Sequence, residues 1–311
     1  MAQKISLRIL LLVLLLAAAN FGGYTYAFLA RTISGNPFFA RATQTGTLWS
    51  GYSNYVHGML QGNYREVAVY QDDFFLILGR AAAASAGLLL LALVISVALG
   101  LLIGLLGVRL NPPGVRDWLT GLTILGLSTP AFFIGRLGVA LLLLLTIYAR
   151  LGNVPLPIQG YGWDWHLILP LVALCVRPTA MIAQIVAGLL AGELGQQYIV
   201  AARGKGLAER RVIWHHALRN VWAPVAHALA GAVRLLVADL IVVEWLFGWP
   251  GLGFLMAATL IPAQVASATV DAGFLDPPLV ASLLTIFAAI FVITDLLAGA
   301  LARAADPRQR V

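Results

Sequence analysis

Long apolar runs separated by short polar stretches make up most of this chain, and their length matches a bilayer rather than a soluble core. A membrane-spanning helix needs roughly 20 largely apolar residues. Six runs reach that length, at about residues 7–29, 78–108, 118–148, 166–190, 221–246 and 278–301. In the first, Ala17-Ala18-Ala19 could pass for a signal-peptidase site, but apolar and aromatic character continues through Phe21, Tyr24, Tyr26 and Phe28. That run therefore reads as a retained span.

The polar stretches differ in kind. Residues 31–77 carry Trp49, Tyr52, Tyr55, His57, Tyr64, Asp72 and Asp73 without a spanning run, which predicts an ordered external segment with short helices. The second run ends in Arg109-Leu110-Asn111-Pro112-Pro113-Gly114, where prolines and glycine stop a helix and make a tight internal turn. Within that run, Gly100, Gly104 and Gly107 place small residues on one side and permit close helix packing. Ser128-Thr129-Pro130 interrupts the third run and predicts a kink there. Residues 149–163 form a second external loop, with Trp163 and Trp165 as interfacial anchors, and the fourth run contains Pro170 and Pro178. A last external segment, 247–277, holds Trp249-Pro250-Gly251-Leu252-Gly253.

Composition agrees with this pattern. Hydrophobic residues make up 60% of the chain and charged residues 11%, and the mean hydropathy is +0.89. Such a chain cannot clothe a solvated globule, so the fold class is all-α, a polytopic membrane protein with about six transmembrane helices in one domain over residues 1–311. The net charge of +7 does not indicate nucleic acid, because the basic residues sit at the ends of apolar runs. Their distribution gives topology instead. Lys4, Arg8, Arg109, Arg116, Arg203, Lys205, Arg210, Arg211, Arg219, Arg303, Arg308 and Arg310 fall on one side; only Arg31, Arg41, Arg65 and Arg150 fall on the other. The positive-inside rule puts both termini in the cytoplasm. Cys175 is the only cysteine, which excludes an intrachain disulfide and any Cys-based metal site.

The densest basic segment is Ala201-Ala202-Arg203-Gly204-Lys205-Gly206-Leu207-Ala208-Glu209-Arg210-Arg211, followed by Ile213, Trp214, His215 and His216. At about 100 degrees per residue, residues 207–218 place Leu207, Ile213, Trp214, Ala217 and Leu218 on one arc, with Glu209, Arg211, Val212, His215 and His216 mostly opposite. Arg210 interrupts the apolar arc. An amphipathic helix of this kind between two spans either lies on the lipid surface or inserts into a groove on a partner protein.

The order of these residues, with Ala217-Leu218-Arg219-Asn220 and Pro224, resembles the EAA loop of ABC-importer permeases, with Val200 standing where the pattern has its leading Glu. The branch it is similar to is the dipeptide, oligopeptide and nickel family, and within that its B-type subunit. Glu244-Trp245-Leu246-Phe247-Gly248-Trp249-Pro250-Gly251-Leu252-Gly253 resembles the segment after that family's fifth span. Residues 52–62 resemble its external segment, and Asp306-Pro307-Arg308 its C-terminal signature.

The resemblance implies a type I ABC-importer permease in the cytoplasmic (inner) membrane of a bacterium or archaeon. It would form half of an alternating-access path for short peptides or a similar small polar solute. Residues 193–220 would contain a coupling helix, with Ala201, Ala202, Arg203, Gly204, Lys205, Gly206, Leu207, Glu209, Arg210, Arg211, Ile213 and Trp214 contacting a cytoplasmic ATPase. The expected partners are a second, homologous permease, two ABC ATPases, an extracytoplasmic solute-binding protein and membrane lipid. ATP and magnesium would be held by the ATPases and no cofactor by this chain. The residues agree, since Gly204-Lys205-Gly206 is followed by Leu207 and no phosphate-binding G-x-x-x-x-G-K-[ST] loop occurs. Segments 31–77 and 247–277 would dock the binding protein.

Charges inside spans are costly and mark either packing or a pathway. Arg80 lies near a helix end and snorkels; Arg136, Arg177, Arg234, Asp239, Glu244 and Asp295 lie deeper. Arg234 and Asp239 are five apart, too far round a helix to pair, so their partners are on other helices or subunits. The alternatives are charge neutralisation that fixes helix packing and a polar lining formed by Phe132, Phe133, Arg136, Arg234 and Asp239. Adjacent His215 and His216 cannot share a helical face, and no paired-carboxylate or G-x-S-x-G arrangement supports hydrolytic chemistry. An ATP-independent secondary transporter or channel is the alternative class, and it would need internal repeats that the chain does not display.

Overall fold

A computed structural model describes residues 2–33, 46–61, 74–150, 153–261 and 275–305. Six of its helices are long and apolar enough to cross a membrane, covering Leu10–Arg31, Phe74–Leu106, Ala131–Tyr148, Trp165–Leu194, Glu209–Phe247 and Pro277–Leu301. Asp306-Pro307-Arg308, Tyr64, Asp72 and Asp73 lie outside the described residues, as do parts of segments 31–77 and 247–277.

Contacts divide the chain into two compact units, Met1–Ser85 with Pro250–Val292 and Ala86–Trp249 with Ile293–Val311. The first contains α1 (Ala2–Ile33), α2 (Leu48–Gln61), the start of α3 (Phe74–Leu106), α10 (Leu252–Leu260) and the first half of α11 (Pro277–Ala305). Helix α2 is a short helix between the first two spans, as the sequence predicts, and it packs by its aromatic face. Tyr55 stacks on Tyr24 of α1 with ring centroids 5.6 Å apart, and Tyr52 meets the same ring edge-on at 5.3 Å. Beneath them, the Asn20 amide donates to the Tyr55 hydroxyl at 3.1 Å and to Thr285 Oγ1 at 3.0 Å. These polar groups find partners inside the bundle, as groups shielded from water must. Where α1 passes α11, Gly23 allows contact that a side chain would prevent, since a Cβ there would lie 3.1 Å from the Ala281 Cα.

The second unit is built around α6 (Ile168–Leu194), which packs on α9 (Leu218–Phe247), α4 (Asp117–Ser128) and α5 (Ala131–Tyr148). Small residues make this possible. Ala173, Ala180, Ala183 and Ala187 of α6 are buried, and across from them Gly100 and Gly104 of α3 would carry a Cβ 2.7 Å from Ile182 and 2.9 Å from the Ala183 carbonyl. The glycines predicted to pack closely do so. At its far end α9 stops at Gly248, whose φ of 67° gives the left-handed cap that only glycine adopts without strain.

One expectation needs correction and another is made more specific. The third run does not form one kinked helix: Thr129 and Pro130 are both extended, so α4 and α5 are separate helices and only α5 is long enough to span. Pro130 cannot donate the hydrogen bond that would continue α4, and it restricts Thr129 to extended backbone. The turn at 109–114 is a small antiparallel hairpin, β1 (Val108–Leu110) and β2 (Pro113–Val115), with Val108 paired to Val115. It is the one departure from an all-α fold among the described residues.

Gly107, just before this hairpin, has the closest approach to a buried side chain, because a Cβ there would lie 2.2 Å from Leu119, which has no exposed surface. Gly107→Ala should therefore destabilise the purified protein by about 1–3 kcal/mol, the usual cost of overpacking. Gly22→Ala, with nothing within 4 Å of its Cβ, should leave thermal unfolding in detergent unchanged.

Candidate functional site

The basic loop is ordered on one side by burial. Helix α7 (Gln197–Gly204) follows α6 after a break at Gly195 and Gln196; the single turn α8 (Glu209–Arg211) then passes into a π-helical segment, Val212–Ala217, that continues as α9. Ile199 and Ala202 of α7 and Val212 and Ala217 of the π segment are buried with Ala183, Ala187, Leu190 and Leu194 of α6, Val108 of the hairpin and Leu119 of α4. The loop therefore sits on an apolar seam shared with the hairpin.

The π winding changes which residues face outward. Residues five apart fall on one face of a π-helix, so Val212 and Ala217 are both buried, while Trp214 is 56% exposed. The helical wheel drawn at 100 degrees per residue assigned the reverse roles to Val212 and Trp214. Ile213 and Leu207 remain partly buried against the seam. Ala208, Arg210, Arg211, Trp214 and His215 line an open depression of about 550 Å³ on the outer side.

Gly206 makes the turn between α7 and α8 with φ of 77°, a conformation natural to glycine. The turn is closed by an ion pair in which Arg203 Nε lies 2.9 Å from Glu209 Oε1 and Arg203 Nη2 donates to Glu209 Oε2 at 3.3 Å. Arg203 and Glu209 thus bind each other. Ala201, Gly204 and Lys205 are exposed. At the other end of α7, the Tyr198 hydroxyl donates to Glu193 and accepts from Asn220 Nδ2 at 2.9 Å. Burial, aided by the bond to Glu193, pushes the Tyr198 phenol up to about 12, so it stays a proton donor.

The five candidate path residues do not form one cluster. Helix α5 packs inward through Ala131 and Gly135, with Gly135 against Leu246 and Phe247 of α9. Phe132, Phe133 and Arg136 are on its exposed side. On α9, Asp239 is bound by Arg177 of α6, whose Nη1 reaches both carboxylate oxygens at 2.8 and 2.9 Å. Arg234 is bound by Asp295 of α11. Different helices supply the partners of Arg234 and Asp239, as their five-residue spacing requires. Arg177 is the residue the candidate set lacked, because 62 residues separate it from Asp239 and no local pattern links them. Where α3, α4, α5 and α6 meet there is also a cavity of about 640 Å³ lined by Leu99, Leu122, Ile134 and Leu171, which are almost wholly apolar neighbours for any solute.

The described residues thus combine six candidate spans with a basic loop braced between two of them. The chain belongs to the family described as the binding-protein-dependent transport system inner membrane component, which it matches over residues 96–311. It is 30% identical over 266 residues to the dipeptide transport system permease protein of Lactococcus lactis, an overlap of 85% of this chain and 81% of that protein. It is 29% identical over 272 residues to the oligopeptide transport system permease protein of Mycobacterium bovis (84% and 80%), and 26% over 267 residues to a probable peptide ABC transporter permease protein of Sinorhizobium fredii (83% and 79%). The chain is a multi-pass permease of the ABC importer class, and that class works with an ATPase and a solute-binding protein.

The Arg177–Asp239 pair gives a direct stability test. Its side chains are 25% and 14% exposed, so Arg177→Met strands a carboxylate and should cost roughly 3 kcal/mol by thermal unfolding in detergent. Adding Asp239→Leu should restore most of the loss, because both charges are then gone.

Proposed function

We propose that this chain forms half of an ATP-driven, alternating-access path for short peptides, and that residues 193–220 are the part that a cytoplasmic ATPase grips. The observation supporting this reading is the two-sidedness of the loop. Its apolar side is fixed to α6 and the hairpin, while Lys205 is exposed and Arg210, Arg211 and Trp214 line an open depression. An aromatic ring and cations presented together suit a cleft with acidic walls. The peptide class is that named for its relatives.

In this reading a second, homologous permease completes the path, two ATPases hold ATP and magnesium, and a binding protein docks on segments 31–77 and 247–277. Both termini face the cytoplasm, as the twelve-to-four division of basic residues favours, and residues 1–311 work as one permease domain. Phe132, Phe133 and Arg136 lie on the exposed side of α5, where the second permease and the solute would meet them. Arg136 has no ion-pair partner among the described residues, and a guanidinium within a span costs about 2.5–3.5 kcal/mol unless something neutralises it. A peptide carboxylate passing along the path would do so. Arg234 and Asp239, already paired, contribute the polar wall.

The test is reconstitution with candidate ATPases, the second permease and the binding protein, followed by import of a pool of labelled di- to pentapeptides. Import should require ATP hydrolysis; import by this chain alone without ATP would contradict the reading. Gly206→Pro should leave membrane insertion intact while abolishing ATP-driven import, since proline cannot adopt φ of 77°. Arg136→Ala should lower import without lowering assembly, and unchanged import would remove Arg136 from the path.

A further inference from the structure

Between the outward face of the loop and the membrane spans there are two breaks in the helical backbone. One is at Gly195 and Gln196, between α6 and α7; the other is at Lys205 to Ala208, between α7 and α8. Beyond the second, α8, the π segment and α9 run on without interruption. Along the backbone, a push or pull on Arg210 and Trp214 reaches α9 directly but reaches α6 only through both breaks.

Each break is bridged by a polar tie. Arg203 and Glu209 span the second. Across the first, Glu193 in the last turn of α6, Tyr198 in the first turn of α7 and Asn220 in the first turn of α9 form a closed triangle. The Tyr198 hydroxyl donates to Glu193 Oε2, Asn220 Nδ2 donates to the Tyr198 hydroxyl at 2.9 Å, and the same amide lies 3.5 Å from Glu193 Oε2. One oxygen atom thus joins three helices. Apolar contacts at Ile199 and Ala202 hold α7 down, but such contacts are non-directional and tolerate sliding, whereas hydrogen bonds weaken steeply when bent. Gly195 offers little steric resistance, because a Cβ there would find only the Gly192 carbonyl, at 3.6 Å.

Building on the proposed ATPase contact, we propose that the Tyr198 hydroxyl is a positioning group: it makes α7 move as one body with α6 and α9, so that displacement of the loop becomes displacement of both spans. Without that oxygen the loop keeps its fold and its outward face, but the first break becomes a hinge that absorbs the stroke. The predicted defect is one of coupling, with ATP still hydrolysed and less solute moved for each ATP.

The experiment compares variants in proteoliposomes holding both permeases, the ATPases and the binding protein, and reads labelled di- to pentapeptide imported per ATP hydrolysed. Tyr198→Phe should assemble and hydrolyse ATP within about twofold of the parent, yet import about fivefold less per ATP, the scale of one ordinary hydrogen bond lost. Glu193→Ala should behave like Tyr198→Phe, while Glu193→Gln, which keeps an acceptor oxygen, should retain the parent ratio. An unchanged ratio in Tyr198→Phe overturns the proposal, and so does loss of assembly or of ATP hydrolysis in proportion to import, which would make the hydroxyl merely structural. If the parent complex itself imports nothing in exchange for ATP, the underlying permease reading fails first, an outcome separable from the variants' behaviour.

Discussion

Burial of Ile199, Ala202, Val212 and Ala217 against the end of α6, the hairpin and α4 is the constraint on which the rest of the loop depends. Fully burying a valine or isoleucine contributes about 1.5–3 kcal/mol, enough for two such residues and their alanine neighbours to hold a short segment in place. With that seam formed, the basic residues cannot rotate inward. Arg210, Arg211 and Trp214 are left on the outside, and the loop becomes a shaped surface instead of a tether between spans. The hairpin shares the seam through Val108, so the turn after α3 supports the same surface.

Four of the charges within the spans follow a second rule, neutralisation across helices. Helix α9 is tied to α6 by Asp239 and to α11 by Arg234, within one compact unit. The first pair is more buried than the second, whose side chains are 48% and 62% exposed. Arg234 and Asp295 therefore keep contact with whatever lies outside the unit, while Arg177 and Asp239 act mainly on packing. Arg136 differs from all four in having no ion-pair partner among the described residues, and it sits on the span with the smallest buried share, 11% against 56% for α6.

Much of this was legible in the chain because membrane spans are written in length and hydropathy. The six apolar runs, the close-packing glycines at 100 and 104 and a short helix between the first two spans all follow from residue type. What was not legible depends on geometry that residue type leaves open. A helical wheel assumes α winding, and the π segment at Val212–Ala217 reverses the exposure of Val212 and Trp214. A basic cluster reads as uniformly outward, yet Arg203 turns back to Glu209. Arg177 with Asp239, and Glu193 with Asn220, join positions far apart in sequence, so only folding brings them together.

The central claim is that the outer face of the loop, and not its inner seam, is what the ATPase touches. It can be tested by single-cysteine cross-linking in membranes containing the assembled complex, starting from a Cys175→Ala background that removes the only native cysteine. A short cross-linker should join the ATPase to cysteines placed at Arg210 and Trp214 but not to one placed at Val212, which is fully buried. Efficient cross-linking at all three positions, or at none of them in a complex that still hydrolyses ATP and imports peptide, would contradict it.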